Sequence, residues 1–343
     1  MIRSELDRPS ISVVIPVFNS MPELEFCLDS VLAELDDYGK GEVLVVDNGS
    51  TDGSLEYLRA HPSSQVSVLQ LPTASVGGLR NAGAEAAEGD VLCFVDSDCV
   101  LGEGYFGAVV ETFHETQAAA TGSKYARRDP ATWIERVWED LHARSTDGYV
   151  EYVNAGNFAV RRDAFEAVGG FREDLASGED AELGQRLNHA GFRIFECHAV
   201  RAVHLGDPKT VVAFVRRHTW HGVGMFATAG KGRIDKPVAM LMLHLVLAAA
   251  GLLQAFVGPW PWPIRLGILT GLLFVVPAAT VGYRYWQGGG GGRPLRETFL
   301  YLLYYFARAR ALAIIMVRWI RGEDSGSDPT ETAQKTAKSF RPR

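Results

Sequence analysis

Residues 91–100 read VLCFVDSDCV, and this stretch decides the fold. Five consecutive apolar residues predict a β-strand that is buried on both faces, because a strand with one wet face alternates apolar and polar side chains. The strand ends in two carboxylates one residue apart, Asp96 and Asp98. Buried charge is costly unless something pairs with it. Two acids spaced D-x-D at a strand end can both face one divalent cation.

Apolar runs of the same kind recur upstream of this strand. They lie at residues 11–15, 43–47 and 66–71. An alanine-rich helical pattern occupies 75–88, and Gly89 is placed to end it. Strands that alternate with helices predict βαβ units, and so an α/β domain with a mostly parallel central sheet flanked by helices. Such sheets bind ligands at the carboxyl ends of their strands. Asp47 and the turn over 16–19 lie at such ends, as Asp96 and Asp98 do.

The next part of the chain contains a second pair of acids. Patterns at 130–142 and 157–161 predict a helix and a strand. The helix predicted over 179–190 has Glu179 and Asp180 in its first turn, where the helix dipole favours negative charge. On their own the two acids are a capping pair. Beside the acids at the strand ends they are candidates for a general base, because a carboxylate needs only a modest upward pKa shift for that role.

The C-terminal part is far more apolar. Residues 238–257 are about 30 Å of helix without Asp, Glu, Lys or Arg, enough to cross a bilayer. Residues 264–283 form a second span, which Pro277 is expected to interrupt. Residues 297–320 are apolar but contain two arginines near their middle, which are costly at a bilayer centre. This segment is therefore an interfacial amphipathic helix or a third span. Burial of all these helices in a soluble core is the remaining alternative.

These patterns divide the chain into four parts. They are an α/β domain over 1–215, an interfacial linker over 216–237, a transmembrane hairpin over 238–284, and a last part over 285–343 with a glycine linker, the amphipathic or third membrane helix and a polar tail. Lysine and arginine flank the hairpin on both outer sides, so the positive-inside rule places the α/β domain in the cytoplasm, at the inner (plasma) membrane.

Composition excludes several classes of protein. The formal net charge is −7 and no basic stripe is interleaved with aromatic residues, so nucleic acid is not an expected partner. The four cysteines form no C-x-x-C pair, which predicts reduced core thiols in a cytoplasmic domain. The N-terminus lacks the apolar segment that is typical of a signal peptide, so no signal peptide is expected. No G-x-G-x-x-G follows the first strand, which argues against a dinucleotide-binding dehydrogenase.

Five segments taken together resemble the family 2 glycosyltransferases. They are VVIPVFNS, VLVVDNGSTDGS, GLRNAGAEAAEGDVLCFVDSD, NAGNFAVRRDAFEAVGGF and GEDAELGQRL, in order over about residues 10–220. The resemblance implies the GT-A fold, which binds a nucleotide-diphosphate sugar, and an inverting reaction without a covalent enzyme intermediate. The C-terminal spans look like those of membrane-anchored members that act on lipid-linked or polymeric acceptors.

The resemblance also implies roles for individual residues. Asp180 would be the general base, with Glu179 as the second candidate. A divalent cation, Mn²⁺ or Mg²⁺, would be held by Asp96 and Asp98, and His204 is a candidate third ligand. The donor side would consist of Pro16, Val17, Phe18, Asn19, Asp47, Asn48, Arg80, Asn81, Asp96, Ser97 and Asp98. The acceptor side would include Asn154, Gly156, Asn157 and Trp220.

Several alternatives stay open on the sequence alone. His204 is either a ligand or a structural histidine, and Asp52 either contacts the nucleotide or caps the next helix. The chain has no Q-x-x-R-W motif, which argues against a processive synthase. A UDP-sugar is the favoured donor, and a lipid-linked saccharide or polyprenyl phosphate the favoured acceptor. A nucleotidyltransferase and a non-catalytic binding module that retains the fold are the rival functions. The sequence does not indicate the oligomeric state.

Overall fold

The structure of the protein is a computed structural model, which describes residues 8–126, 128–142, 146–175, 178–228 and 236–321. It contains ten β-strands within these residues. They are β1 (Ile11–Val17), β2 (Gly41–Asp47), β3 (Val66–Gln70), β4 (Val91–Val95), β5 (Cys99–Leu101), β6 (Ala120–Gly122), β7 (Gly148–Val150), β8 (Asn157–Arg161), β9 (Ile194–Glu196) and β10 (Ala202–His204). The predicted polar tail after Gly322 and residues 229–235 of the predicted linker lie outside the described residues.

Helices alternate with these strands, and after β10 the described elements are all helices. The helices are α1 (Glu23–Tyr38), α2 (Ser54–Ala60), α3 (Val76–Ala86), α4 (Tyr105–Thr116), α5 (Trp133–His142), α6 (Arg162–Ala167), α7 (Glu179–His189), α8 (Val211–Thr228), α9 (Lys236–Val257), α10 (Trp262–Trp286) and α11 (Pro294–Ile320). Helix α3 ends before Gly89, so the prediction that this glycine ends it is wrong. Gly89 instead lies against β1, where its backbone N–H donates to the Ser12 hydroxyl at 2.7 Å.

The main sheet has the strand order β3-β2-β1-β4-β8-β6-β9-β7. Strands β3, β2, β1 and β4 are parallel, whereas β8 runs antiparallel to both β4 and β6. Every residue of β1 and β4 is buried, as expected for strands covered on both faces. The mostly parallel α/β sheet predicted from the apolar runs is therefore confirmed. A separate pair of short antiparallel strands, β5 and β10, lies beside it.

Two hydrophobic cores cover the faces of the main sheet. Side chains that alternate along β1 belong to different cores: Val13 and Ile15 pack with α1, and Val14 packs with a cluster around Phe94 and Phe158. The alternation follows from the period of two in a strand, which points successive side chains to opposite faces.

By its internal contacts the chain divides into two units. The first comprises Met1–Asp129 and Thr146–Asp207, and the second comprises Pro130–Ser145 and Pro208–Arg343. The main sheet belongs to the first unit. The second unit contains α5, which lies between segments of the first unit in the sequence, and α8 to α11. Its core includes Phe214, Leu241 and Tyr305.

Three helices of the second unit are long and apolar enough to cross a membrane: α9, α10 and residues 294–317 of α11. Helix α10 continues through Pro277, so the predicted interruption there is wrong. Its Pro263 lies in the first turn, where a missing backbone N–H costs nothing. By its length and composition, α11 also qualifies as a membrane span, the third in the chain.

The close contact of α3 with the sheet yields a stability prediction. A Cβ added at Gly83 would lie 2.3 Å from a methyl of Val14, so Gly83→Ala should destabilise the fold by about 1–3 kcal/mol through overpacking. Gly107→Ala on the exposed face of α4 is the matched control, because nothing lies within 4 Å of its added Cβ. Thermal unfolding of the purified full chain in detergent measures both variants. Equal melting temperatures for the two would contradict the prediction.

Candidate active site

The turn after β4 gathers the first acids of the site. The backbone N–H of Cys99 donates to the Asp96 carbonyl at 2.9 Å, which closes a tight turn around Ser97 and Asp98. Ser97 lies 2.7 Å from the hydroxyl of Ser20, in the loop that follows β1. The D-x-D segment is thus attached to the neighbouring parallel strand at its carboxyl end. This is the edge where parallel sheets bind ligands.

Gly156 leaves the space that the Asp96 carboxylate occupies. A Cβ at this position would lie 2.2 Å from Asp96 Oδ2 and 2.3 Å from the Tyr125 hydroxyl oxygen. The Gly156 carbonyl also accepts the Asp96 backbone N–H at 3.2 Å. The structure therefore places this predicted acceptor-side residue directly against the D-x-D turn.

Arg80 connects the two pairs of acids. Its guanidinium donates to Asp96 Oδ1 at 2.8 Å and to Glu179 Oε1 at 2.7 Å, and only 3% of the residue is exposed. The Phe171 ring lies 5.4 Å from the same guanidinium. Burial alone lowers the pKa of Arg80, but the two carboxylates raise it well above its ordinary value. Arg80, predicted to lie near the diphosphate, is thus a buried cation between two acids.

The first turn of α7 carries the candidate base. Asp180 is half-buried, and one of its oxygens accepts the Ala181 backbone N–H at 2.7 Å. Burial raises the pKa of Asp180 to about 6, and the adjacent charge of Glu179 adds to the effect. The carboxylate of Glu179 is engaged by Arg80. The two neighbouring acids therefore differ in environment, and Asp180 is the one poised to exchange a proton near neutral pH.

His204, at the end of β10, faces the second acid of D-x-D. Its Nε2 lies 3.3 Å from Asp98 Oδ2, and its Nδ1 lies 3.4 Å from Asp207 Oδ1. Ligand atoms of Asp98, Cys99 and His204 all lie within 4.8 Å of one another. Burial raises the pKa of the Cys99 thiol well above its ordinary value. Hard divalent cations such as Mg²⁺ and Mn²⁺ prefer oxygen and imidazole nitrogen to sulfur, so the carboxylate and the imidazole are the suitable donors.

Two other residues shape the space around His204. Gly206 has no side chain where a Cβ would lie 2.0 Å from Asp98 Oδ2 and 3.1 Å from His204 Cε1. The ring of Tyr125 packs against the imidazole with 4.7 Å between ring centres. Sequence reasoning missed Tyr125, Gly206 and Asp207. Only Asp207 left a signal, since it follows His204 by three residues in HLGD.

The residues predicted to bind the donor fall into two groups. Pro16 and Val17 are buried within β1, whereas Phe18 and Asn19 follow it and are exposed. Asn19 Oδ1 accepts the Thr51 backbone N–H at 2.8 Å, which ties the loop after β1 to the loop after β2. These two loops therefore form one edge of the site.

Asp47 ends β2 at the same edge, and Asn48 follows it. Asp47 is fully buried and accepts the backbone N–H groups of Gly49 and Ser50 at 2.9 and 3.1 Å, so it shapes its own turn. The Asn48 amide donates to the Ala74 carbonyl at 3.1 Å, and its oxygen is buried without a hydrogen-bond partner. Of the two, Asn48 presents an acceptor that no described residue uses.

Other predicted residues have structural partners. The Asn81 amide donates to the Phe171 carbonyl and to Glu173, so it fixes the loop that carries Phe171. Asp52 accepts from the hydroxyl and backbone N–H of Ser54 at the start of α2, and hydrogen bonds lower its pKa despite partial burial. Asp52 thus accepts from the first residue of α2, although the N-cap position of this helix is Gly53.

The predicted acceptor-side residues do not form one group. Asn154 is exposed, whereas Asn157 is fully buried and saturated by hydrogen bonds: its amide donates to Ser123 and to the Val200 carbonyl, and its oxygen accepts the Tyr105 hydroxyl. Trp220 belongs to the second unit, on α8, and packs against His221.

Comparison with family models and curated proteins shows the family of this chain. The model of glycosyl transferase family 2 matches residues 12–169, and that of glycosyl transferase family group 2 matches residues 91–309. Glycosyltransferase AglE of Haloferax volcanii is 30% identical over 208 residues, which cover 58% of this chain and 68% of AglE. The succinoglycan biosynthesis protein ExoA of Rhizobium meliloti is 27% identical over 321 residues, 86% of this chain and 90% of ExoA.

Comparison with solved structures gives the same fold. The mannosyltransferase PcManGT of Pyrobaculum calidifontis, solved in complex with GDP-Man and Mn²⁺, has a TM-score of 0.58 to this chain at 21% sequence identity. The match covers 89% of this chain and 87% of PcManGT. At this identity the likeness shows the architecture alone and leaves the substrate open.

The buried Arg80 generates a prediction about stability. Arg80→Met leaves two carboxylates without their cation, so the free energy of unfolding should fall by about 3–5 kcal/mol. Arg161→Met is the matched control, because Arg161 pairs with Asp163 at the surface and such pairs contribute about 0–1 kcal/mol. Denaturant unfolding of the purified chain compares them. A loss in Arg80→Met no larger than in the control would contradict the buried bridge.

Proposed function

The chain belongs to the family 2 glycosyltransferases, and from that premise we propose that it transfers a sugar, with inversion, from a nucleotide-sugar to an acceptor at a membrane. A UDP-sugar is the favoured donor and a lipid-linked saccharide or polyprenyl phosphate the favoured acceptor. The proposed setting is the synthesis of a polysaccharide or another cell-envelope polymer, in line with the name of the relative ExoA.

The observation that carries this proposal is the Arg80 bridge. Through two short ion pairs it joins Asp96, at the end of β4, to Glu179, at the start of α7. The bridge therefore links the turn that carries Asp98 to the helix turn that carries Asp180, the candidate base. A transferase needs the two reactants oriented against each other, and fixed positions of this kind supply much of the rate enhancement.

The donor set beside this bridge fits a divalent cation such as Mn²⁺ or Mg²⁺. Asp98 and His204 would hold it, and Asp207 would orient His204 through the other ring nitrogen, an arrangement common around metal-binding histidines. Gly206 leaves room where a side chain would collide with both donors. Such a cation supplies positive charge that stabilises a departing diphosphate.

Asp180 is proposed to accept the proton of an acceptor hydroxyl. The hydroxyl oxygen attacks the anomeric carbon while the bond from that carbon to the donor phosphate breaks, and the electron pair leaves with the nucleoside diphosphate. The proton goes to the Asp180 carboxylate, whose pKa of about 6 makes it a better base than an ordinary aspartate. Glu179 is held by Arg80 and so keeps a positioning role.

The acceptor and the location rest on the second unit. Three apolar helices support attachment to a membrane, and an acceptor that is itself lipid-linked would be concentrated there. Lysine and arginine residues flank the hairpin of α9 and α10. By the positive-inside rule they support a catalytic unit on the cytoplasmic side of the inner membrane. Because Asp180 serves a hydroxyl better than a phosphate, a hydroxyl of a lipid-linked saccharide is the favoured nucleophile.

Release of nucleoside diphosphate tests the proposed reaction. Native membranes that contain the protein are incubated with UDP-, GDP- and dTDP-sugars, with Mn²⁺, Mg²⁺ or EDTA. We expect release from one donor, loss with EDTA, and loss of at least about 100-fold in Asp98→Ala and Asp180→Asn. Asp163→Asn, a surface acid outside the site, should retain full activity. Release that is insensitive to both site variants would contradict the assignments.

The pH dependence distinguishes the two candidate bases. If Asp180 is the base, kcat/KM should fall as the pH drops below about 6, because the protonated carboxyl cannot accept a proton. Glu179→Gln removes the negative charge that helps to raise the Asp180 pKa, so this limb should move to lower pH while activity persists. Asp163→Asn should leave the limb in place. Near wild-type activity of Asp180→Asn, together with loss of activity in a folded Glu179→Gln variant, would make Glu179 the base instead.

A further inference from the structure

Backbone hydrogen bonds fix the main chain around His204 but not the direction of its imidazole. His204 pairs with Cys99 in the short antiparallel sheet of β5 and β10, and the Leu205 N–H donates to the Asp98 carbonyl at 2.7 Å. These bonds join the two chain segments that carry the proposed cation ligands. The last side-chain torsion of a histidine is broad, so the tilt of the ring depends on what packs against it.

The Tyr125 ring packs against this imidazole. The two ring centres lie 4.7 Å apart and the ring planes are inclined at 41°. The next residue holds Tyr125 in place, because the Ala126 N–H donates to the Ala202 carbonyl at 2.7 Å and Ala126 forms a parallel bridge with Val203. The register between this segment and β10 therefore sets the contact of Tyr125 with His204.

The two acids beside His204 act on the edge of its ring. Nε2 lies 3.3 Å from Asp98 Oδ2, and Nδ1 lies 3.4 Å from Asp207 Oδ1. Both distances are longer than the roughly 2.7–2.9 Å of a strong charge-assisted hydrogen bond. Contacts of this length leave the ring some freedom to tilt about its Cβ–Cγ bond. A ring packed beside the imidazole restricts that tilt sterically.

The same tyrosine also reaches the first acid of the D-x-D turn. A Cβ added at Gly156 would lie 2.3 Å from the Tyr125 hydroxyl oxygen and 2.2 Å from Asp96 Oδ2, so the two oxygens face the same small space. The half-buried Tyr125 side chain thus packs on His204 with its ring and stands beside Asp96 with its hydroxyl. It lies along the side of the candidate cation site.

We propose that Tyr125 is a positioning residue for the divalent cation: its ring holds the His204 imidazole so that Nε2 faces the cation beside Asp98. This role rests on the proposed function, because it assumes the cation site of Asp98 and His204. Tyr125 itself gives the cation no ligand atom. Outer contacts that orient a metal-binding histidine typically contribute about 10–100-fold to metal affinity.

Binding of Mn²⁺ to the purified full chain in detergent tests this role. Free Mn²⁺ is followed by electron paramagnetic resonance during a titration without nucleotide or acceptor. Tyr125→Leu removes the ring and should weaken Mn²⁺ binding about tenfold or more. Tyr125→Phe keeps the ring and should bind like wild type. Tyr149→Leu is the matched control, because it breaks an aromatic pair with Phe195 on the edge strand β7 and should leave Mn²⁺ binding unchanged.

The imidazole nitrogen gives a second, direct measurement. Pulsed electron paramagnetic resonance of bound Mn²⁺ detects coupling to a ligated imidazole nitrogen. Wild type and Tyr125→Phe should show this coupling, and His204→Gln should lack it. In Tyr125→Leu the coupling should be weakened or lost even when Mn²⁺ is raised to restore occupancy. If Tyr125→Leu does not fold, Tyr125→Met replaces it, because methionine fills an irregular space without a ring.

Three results would overturn the role of Tyr125 while the cation site stands. They are wild-type affinity and nitrogen coupling in Tyr125→Leu, equal losses in Tyr125→Leu and Tyr125→Phe, and equal losses in Tyr125→Leu and Tyr149→Leu. The second would assign the effect to the hydroxyl, and the third to a general loss of stability. Wild-type protein that binds no Mn²⁺, or binds it without nitrogen coupling, would contradict the cation site of the proposed function and the role of Tyr125 with it.

Discussion

The buried cation Arg80 is the constraint on which the rest of the active site depends. It lies between Asp96 and Glu179 with almost no exposure, so each of the three charges would be costly without the other two. Neighbouring features serve this arrangement. Gly156 leaves space for the Asp96 carboxylate, and Asn81 fixes the loop whose Phe171 ring lies beside the guanidinium. The end of a strand and the start of a distant helix are thereby fixed to each other.

The same bridge gives four acids at one sheet edge different chemical properties. Asp96 and Glu179 are held by Arg80, whereas Asp98 faces His204. Asp180 has burial and a neighbouring negative charge instead, which together raise its pKa to about 6. Asp180 suits proton transfer and Asp98 suits a cation. The two residues are of the same type, so the difference comes from their environments. This division explains how two sequence-adjacent acids, 179 and 180, can differ in role.

The second unit is organised by other forces. Its helices expose apolar side chains that suit a lipid environment, and among the described residues most of its buried polar groups belong to α5, α8 and α11. Arginines in an apolar helix suggested an interfacial segment when only the sequence was considered. In the structure α11 is one continuous helix, and Arg308 packs on Tyr304 and against Gly222 of α8. Helix packing thus accommodates a charge that hydropathy alone disfavours.

The sequence by itself determined the alternation of strands and helices, the acids at strand ends and the apolar helices, because these depend on local periodicity and short spacing. Five family-like segments added the candidate residues. Only the tertiary structure decided that Arg80 pairs with acids 16 and 99 residues away, that Asn157 is saturated internally, and that Asp207 stands behind His204. Such partners meet across the fold, so burial and pairing, which set each side chain's chemistry, depend on contacts that no local pattern encodes.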